Sequence, residues 1–197
     1  MEARHAGDFD RDGRPDVLLL LRMDDPRNVV ANAGFGPPRF DTNPRMLVAA
    51  LAEAGGGHRR ILADHTLVPR PTSPATADVL DEMGGVGIRE NGTLFVDLHR
   101  FASAGGWEMG NTGFTFRYQD GCFRLIGYDA RSVDRASGAM REISFNYLSR
   151  RAWTSVANIA EDDAPDRRWR SLPRAPLRCL EEVSDGLVFR PEIGDAE

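Results

Sequence analysis

Gly113-Phe114-Thr115-Phe116-Arg117-Tyr118-Gln119-Asp120-Gly121-Cys122-Phe123-Arg124-Leu125-Ile126-Gly127-Tyr128 decides the fold. Phe114, Phe116 and Tyr118 alternate with Thr115 and Arg117, the period-two pattern of a half-buried strand. Asp120-Gly121 then supplies two residues that tolerate positive φ, which suits a type I′ hairpin turn. A second strand, Cys122–Tyr128, follows at once.

Working outward, the same grammar repeats. Val86–Glu90 and Thr93–Phe101 flank Asn91-Gly92, a second type I′ signal. Arg141–Leu148 alternates with Ile143, Phe145 and Tyr147 on one face, and Trp153–Ile159 is placed to close a third hairpin. Toward the amino end, Val17–Arg22 is an apolar run of strand length, consistent with burial on both faces. Asp24–Pro44 is rich in Asn, Gly, Pro and Asp and reads as a long surface loop. Met46–Ala54 and Arg59–His65 flank three glycines, Gly55–Gly57, as a loose hairpin, although Met46–Glu53 also satisfies a helix by propensity. Pro69–Pro74 marks another loop. Glu161–Arg170 is charged and broken by Pro165, so no element is expected there, and the irregular carboxyl segment, about 161–197, carries only patches of apolar residues from Leu177 to Phe189. No ten-residue amphipathic helix emerges. The expectation is one all-β domain over residues 1–197, a propeller-like array of antiparallel hairpins.

The net charge of −5 argues against a nucleic-acid partner, which needs a concentrated basic surface. All 25 basic residues are arginine. A GC-rich genome explains this, and so does selection for bidentate contacts. The apolar run Val17–Leu21 is too short to span a bilayer. The opening Met1-Glu2-Ala3-Arg4-His5 lacks a signal-peptide core, so the chain is expected to be either cytosolic or a trimmed, exported form. Cys122 and Cys179 either pair, stabilising an exported fold by about 4 kcal/mol in the chain-entropy picture, or stay as two buried thiols.

Asp8-Phe9-Asp10-Arg11-Asp12-Gly13-Arg14-Pro15-Asp16 is where metal chemistry concentrates. Calcium takes six to eight oxygens at about 2.3–2.6 Å with loose angular demands. Alternate residues of a tight loop let Asp8, Asp10 and Asp12 converge, Gly13 permits the turn, Arg14 offers its carbonyl, and Asp16 completes the cage before the strand. A helix–loop–helix calcium site would need a glutamate at the twelfth position, where Leu19 stands. Magnesium seldom uses an all-protein cage, so calcium is the expected ion. The alternative is a solvated acidic turn.

Gly7–Asp16 followed by Val17–Leu21 closely resembles the FG-GAP-type repeat of integrin β-propellers and many exported bacterial proteins. That resemblance implies a calcium loop and a propeller-type strand. Phe114–Asp129 and Phe145-Asn146-Tyr147-Leu148, within residues 91–160, look like a group of bacterial periplasmic proteins and lipoproteins. Some of that group are immunity proteins that bind and block peptidoglycan-degrading toxins of a type IV secretion system, with a fold resembling periplasmic inhibitors of invertebrate-type lysozyme. The resemblance implies a periplasmic, non-catalytic binder of a secreted cell-wall hydrolase. Membrane association is implied only if a lipoprotein signal has been removed. The binding loop would run from Tyr128, Asp129 and Arg131 through Arg135 to Ser137 and Gly138. Lysozyme inhibitors of this type insert a similar Ser-Gly pair, but their companion tyrosine is replaced here by Ala139-Met140. The alternative reading of the pair is an ordinary β-turn. Trp107, among Gly105, Gly106 and Glu108, is either an interface anchor or a core residue.

A calcium-stabilised envelope scaffold with another ligand is the rival, and an enzyme the third reading. His5, His58, His65 and His99 show no metal-ligand spacing. No G-x-S-x-G elbow or phosphate-binding glycine motif occurs. Glu161-Asp162-Asp163 reads as solvated. Glu90 and Asp97 flank a turn without a visible cleft.

Overall fold

The computed structural model describes residues 1–161 and 166–192. It is all-β, with antiparallel sheets. β1 (Ala3–Gly7), β2 (Asp16–Arg22), β5 (Arg45–Ala52) and β6 (His58–Asp64) form one four-stranded sheet in the order β1-β2-β5-β6. β3 (Val29–Ala31) and β4 (Arg39–Asp41) form a small separate hairpin inside the stretch expected as plain loop. Asn43, almost fully buried, organises that stretch: its Oδ1 accepts from Asp25 N–H at 3.1 Å and from Asn28 Nδ2 at 3.0 Å.

The second sheet has seven strands, β7 (Gly85–Ile88), β8 (Leu94–Arg100), β9 (Glu108–Gln119), β10 (Cys122–Asp134), β11 (Ala139–Asn146), β12 (Arg151–Asn158) and β13 (Arg167–Ser171), each paired with the next in sequence. The strands gather into two main sheets around one core, and no propeller or closed barrel is shown. β5 settles the strand-or-helix ambiguity at residue 46 onward as strand. β13 lies where the charged run had suggested no element; pairing with β12, Trp169 against Trp153, overrides its poor local signal.

The two glycine hairpins differ. At Asp120-Gly121 both residues have positive φ, 52° and 83°, as the type I′ turn requires. At the β7–β8 turn Gly92 has φ 76° while Asn91 does not take positive φ, and Gly92 N–H returns to Arg89 O at 2.9 Å. This is a longer loop with glycine at the left-handed position, not a two-residue type I′ turn. Gly92 is also held by crowding, because a Cβ there would lie 2.3 Å from Asp8 O.

Apolar side chains from both sheets meet in one cluster. Leu18, Leu47 and Leu62 enter from the four-stranded sheet; Leu98, Phe114, Phe123 and Phe145 enter from the seven-stranded one. The carboxyl segment closes this core. Cys122 and Cys179 are disulfide-bonded, Leu125 N–H donates to Arg178 O at 2.8 Å, and Leu180 and Val183 are buried. Gly186 fits where a Cβ would lie 2.6 Å from Leu98 Cδ1 and 2.8 Å from Leu67 O. Arg45 is a buried cation. Its guanidinium meets Asp78 at 2.7 and 2.6 Å and Glu2 at 2.6 and 3.1 Å.

Candidate metal loop and braced tryptophan loop

The aspartate loop is anchored from within. Phe9 is buried, edge-on to Phe123 with ring centroids 4.9 Å apart. Asp16, 1% exposed, accepts Phe9 N–H on Oδ2 at 2.7 Å and Ala52 N–H on Oδ1 at 2.8 Å. Asp8 accepts from Asp12 N–H at 3.2 Å and Gly13 N–H at 2.9 Å. Gly13, with φ 82°, and Arg11, with φ 64°, supply the turns.

Asp8, Asp10 and Asp16 each bring a carboxylate oxygen within 4.8 Å of the others. Asp12 is not among them. Its carboxylate pairs with the Arg14 guanidinium and accepts Arg14 N–H at 2.8 Å, while Arg14 Nε donates to Ala52 O at 3.1 Å. Of the four aspartates the sequence expected as ligands, the structure brings three together, while the guanidinium of Arg14 satisfies Asp12; that pairing leaves aside the Arg14 carbonyl, the donor expected of that residue. Asp10 is exposed, and its carboxyl is pushed above the ordinary range by desolvation, then by the charges of Asp12, Asp16 and Asp8. The donor set fits a hard cation: three carboxylates offer six oxygens. The four of Asp8 and Asp16 each spend one lone pair on an amide and keep another.

The two stretches singled out for partner contact meet at Arg135. Its N–H and Nε donate to Trp107 O at 2.9 and 3.2 Å, and its terminal nitrogen donates to Ala102 O at 2.6 Å and Gly106 O at 2.8 Å. The guanidinium lies 4.6 Å from the Phe101 ring centre and 5.9 Å from that of Trp107. Trp107 itself is 65% exposed, so it is not a core residue. It borders a recess of about 300 Å³ with Ser103–Gly106 and Arg135.

The remaining residues scatter. Ser137 and Gly138 form a turn in which Asp134 Oδ1 accepts Ser137 N–H at 2.8 Å and Ser137 Oγ at 3.0 Å. The hydroxyl is thus engaged internally, and Gly138 is half-buried with φ 73°. Tyr128 is 1% exposed and packs against Phe114, Phe145 and Phe189, so it serves the core and is not a contact residue. Asp129 and Arg131 sit on the opposite, outer face of the seven-stranded sheet.

There they border a recess of about 240 Å³ with Asp97, Asn111, Glu142 and Trp153. Asp97, Gly113 and Asp129 lie in one row across β8, β9 and β10. Gly113 leaves the space Asp97 uses, since a Cβ there would lie 2.6 Å from Asp97 Oδ1. Burial pushes the Asp97 carboxyl up and Asp129 adds to it, with Arg89 opposing. The sequence shows Asp97 only as a turn flank; its polar position between buried Val96 and Leu98 was the available signal.

No family model matches this chain, and neither the curated proteins nor the solved structures contain a match.

Proposed function

We propose that this chain is a non-catalytic, periplasmic binding protein, stiffened by one calcium ion, that blocks a secreted peptidoglycan hydrolase of lysozyme type in the manner of an immunity protein. Trp107 carries the reading. A large exposed aromatic on a glycine-rich loop would ordinarily be mobile, and fixing it on binding costs conformational entropy. Arg135 has already restrained the loop through four hydrogen bonds. A preorganised aromatic anchor beside a recess suits insertion into a partner's cleft.

The Cys122–Cys179 disulfide fits an oxidising compartment. Calcium would sit among Asp8, Asp10 and Asp16, offsetting the charge repulsion that, after desolvation, raises Asp10. The propeller-like finer fold rests on the FG-GAP resemblance of residues 7–21 alone.

The test is capture and inhibition with a purified lysozyme-type effector encoded beside this gene. Tight capture and loss of lysis are expected, both abolished by Trp107→Ala with an unchanged melting temperature. Undiminished lysis at saturating protein would overturn the reading, and the scaffold role would replace it. A second reading, an enzyme, draws on the outer recess: Asp97 and Asp129 line it together, and burial raises the Asp97 carboxyl in the direction a general acid requires. Hydrolysis of peptidoglycan fragments that is lost in Asp97→Asn would favour it.

A further inference from the structure

β13 ends the seven-stranded sheet, and all five of its residues are exposed. Its hydrogen-bonding sides follow from one contact: Leu172 N–H donates to Arg150 O at 2.9 Å, one pair beyond Arg151 and Ser171. Antiparallel pairing alternates at every second residue. Arg170 and Arg168 therefore turn their N–H and C=O groups toward β12. Arg167, Trp169 and Ser171 turn theirs to the open side. Among the described residues nothing bonds to those groups.

The side chains along this edge are concentrated cations. Arg167, Arg168 and Arg170 stand on β13, with Arg150 and Arg151 beside them. Among the described residues none of the five pairs with a carboxylate. Two are already ordered by stacking: Arg151 lies 4.4 Å over Trp169, and Arg167 lies 4.3 Å over Trp153. This occurs on a chain whose net charge is −5.

We propose that the outer edge of β13 accepts an extended acidic polypeptide segment as an added strand. Main-chain groups of Arg167, Trp169 and Ser171 would supply the ladder. Acidic side chains on one face of the incoming strand would meet Arg167, and those on the other would meet Arg168 and Arg170. Charge selects the occupant: a second copy of this edge is repelled, and an acidic segment is attracted. The surface lies apart from the Trp107 loop and goes beyond the hydrolase reading.

The test is calorimetric titration of the full chain with acetyl-Val-Glu-Val-Glu-Val-Glu-amide. Three comparisons accompany it: a twin N-methylated at alternate peptide bonds, a lysine counterpart, and a poly-dT oligonucleotide. Binding of the acidic peptide is expected, weakened roughly tenfold or more by N-methylation, by lysine replacement and in R168E/R170E. Those two arginines are exposed, and an unchanged melting temperature verifies that the variant folds. Trp107→Ala is expected to leave this binding intact, which separates it from the hydrolase reading. Equal affinity for the N-methylated twin, or tighter binding of the oligonucleotide, would reduce the edge to a general polyanion surface and overturn strand addition. No binding at all would leave the arginines as guards against edge-to-edge association and overturn it equally.

Discussion

Asp16 Oδ2 accepts the Phe9 N–H at 2.7 Å, closing the aspartate loop from inside the core rather than from its solvent side. Asp16 thus has a structural duty whether or not an ion is bound, whereas exposed Asp10 is engaged only locally, by the Asp12 amide. Asp16→Ala strands two amide donors and is expected to lose about 2–4 kcal/mol in urea unfolding, with or without calcium. Asp10→Ala is expected to match the parent in chelator. With calcium at a hundredfold excess over Kd it should forgo the parent's gain of roughly 2.7 kcal/mol. Equal losses for Asp10→Ala in both conditions would remove calcium from the account.

Asp78 is the pH-sensitive partner of buried Arg45. Burial alone would push its carboxyl up, but the hydrogen bonds and charge of Arg45 outweigh this and hold it below the ordinary value of 3.8. A depressed native value means the contribution is present above pH 3.8 and lost as pH falls through the native value. Melting temperature is therefore expected to drop on acidification below pH 4, and less so in Asp78→Asn. Asp78→Ala should destabilise at pH 7 by about 1–3 kcal/mol, below the range for a fully buried pair because the Asp78 side chain is 38% exposed.

Asp97 has the opposite sign. Its native value is raised, so the native state binds the proton more readily than the unfolded chain. Below pH 3.8 neither state is ionised and no penalty exists; stability falls as pH climbs from there through the native value. Asp97→Asn is expected to raise the melting temperature at pH 7 and leave it unchanged at pH 3. A variant less stable than the parent at pH 7 would contradict the assignment.

The disulfide joins residues 57 apart. Reduction is expected to remove about 4 kcal/mol by releasing that loop in the unfolded chain. Urea midpoints with and without reductant, compared with Cys122→Ser/Cys179→Ser, check the value.

How far the fold was legible depended on register. The Asp120-Gly121 turn pairs Gln119 with Cys122, and the alternation from Phe114 to Phe123 follows from it. Carried past Leu125, that register would pair Asp129 with Thr112 and turn Tyr128 outward. A bulge between Leu125 and Gly127 shifts the pairing by one, sending Tyr128 into the core and Asp129 to the outer face beside Gly113. Gly127, an isolated glycine within a strand pattern, is the one local signal for it, and it does not say which way the register moves. The site was legible in the same partial way. Asp8, Asp10 and Asp16 follow from loop spacing, whereas the turning of Asp12 to Arg14 depends on how the loop lies against Ala52. The meeting of Trp107 with Arg135 depends on β9 and β10 being paired along their full length, from Glu108 opposite Asp134 to Gln119 opposite Cys122.

Gly186 fits beside Leu98 and Phe114, whose own strands end far earlier at Arg100 and Gln119, and Leu180 and Val183 join the same core. A ribosome must therefore synthesise past Gly186 before this interior can be sealed. Until then the aromatic rows of β9 and β10 stay open to solvent, and any holding factor that recognises a nascent chain has its longest opportunity there.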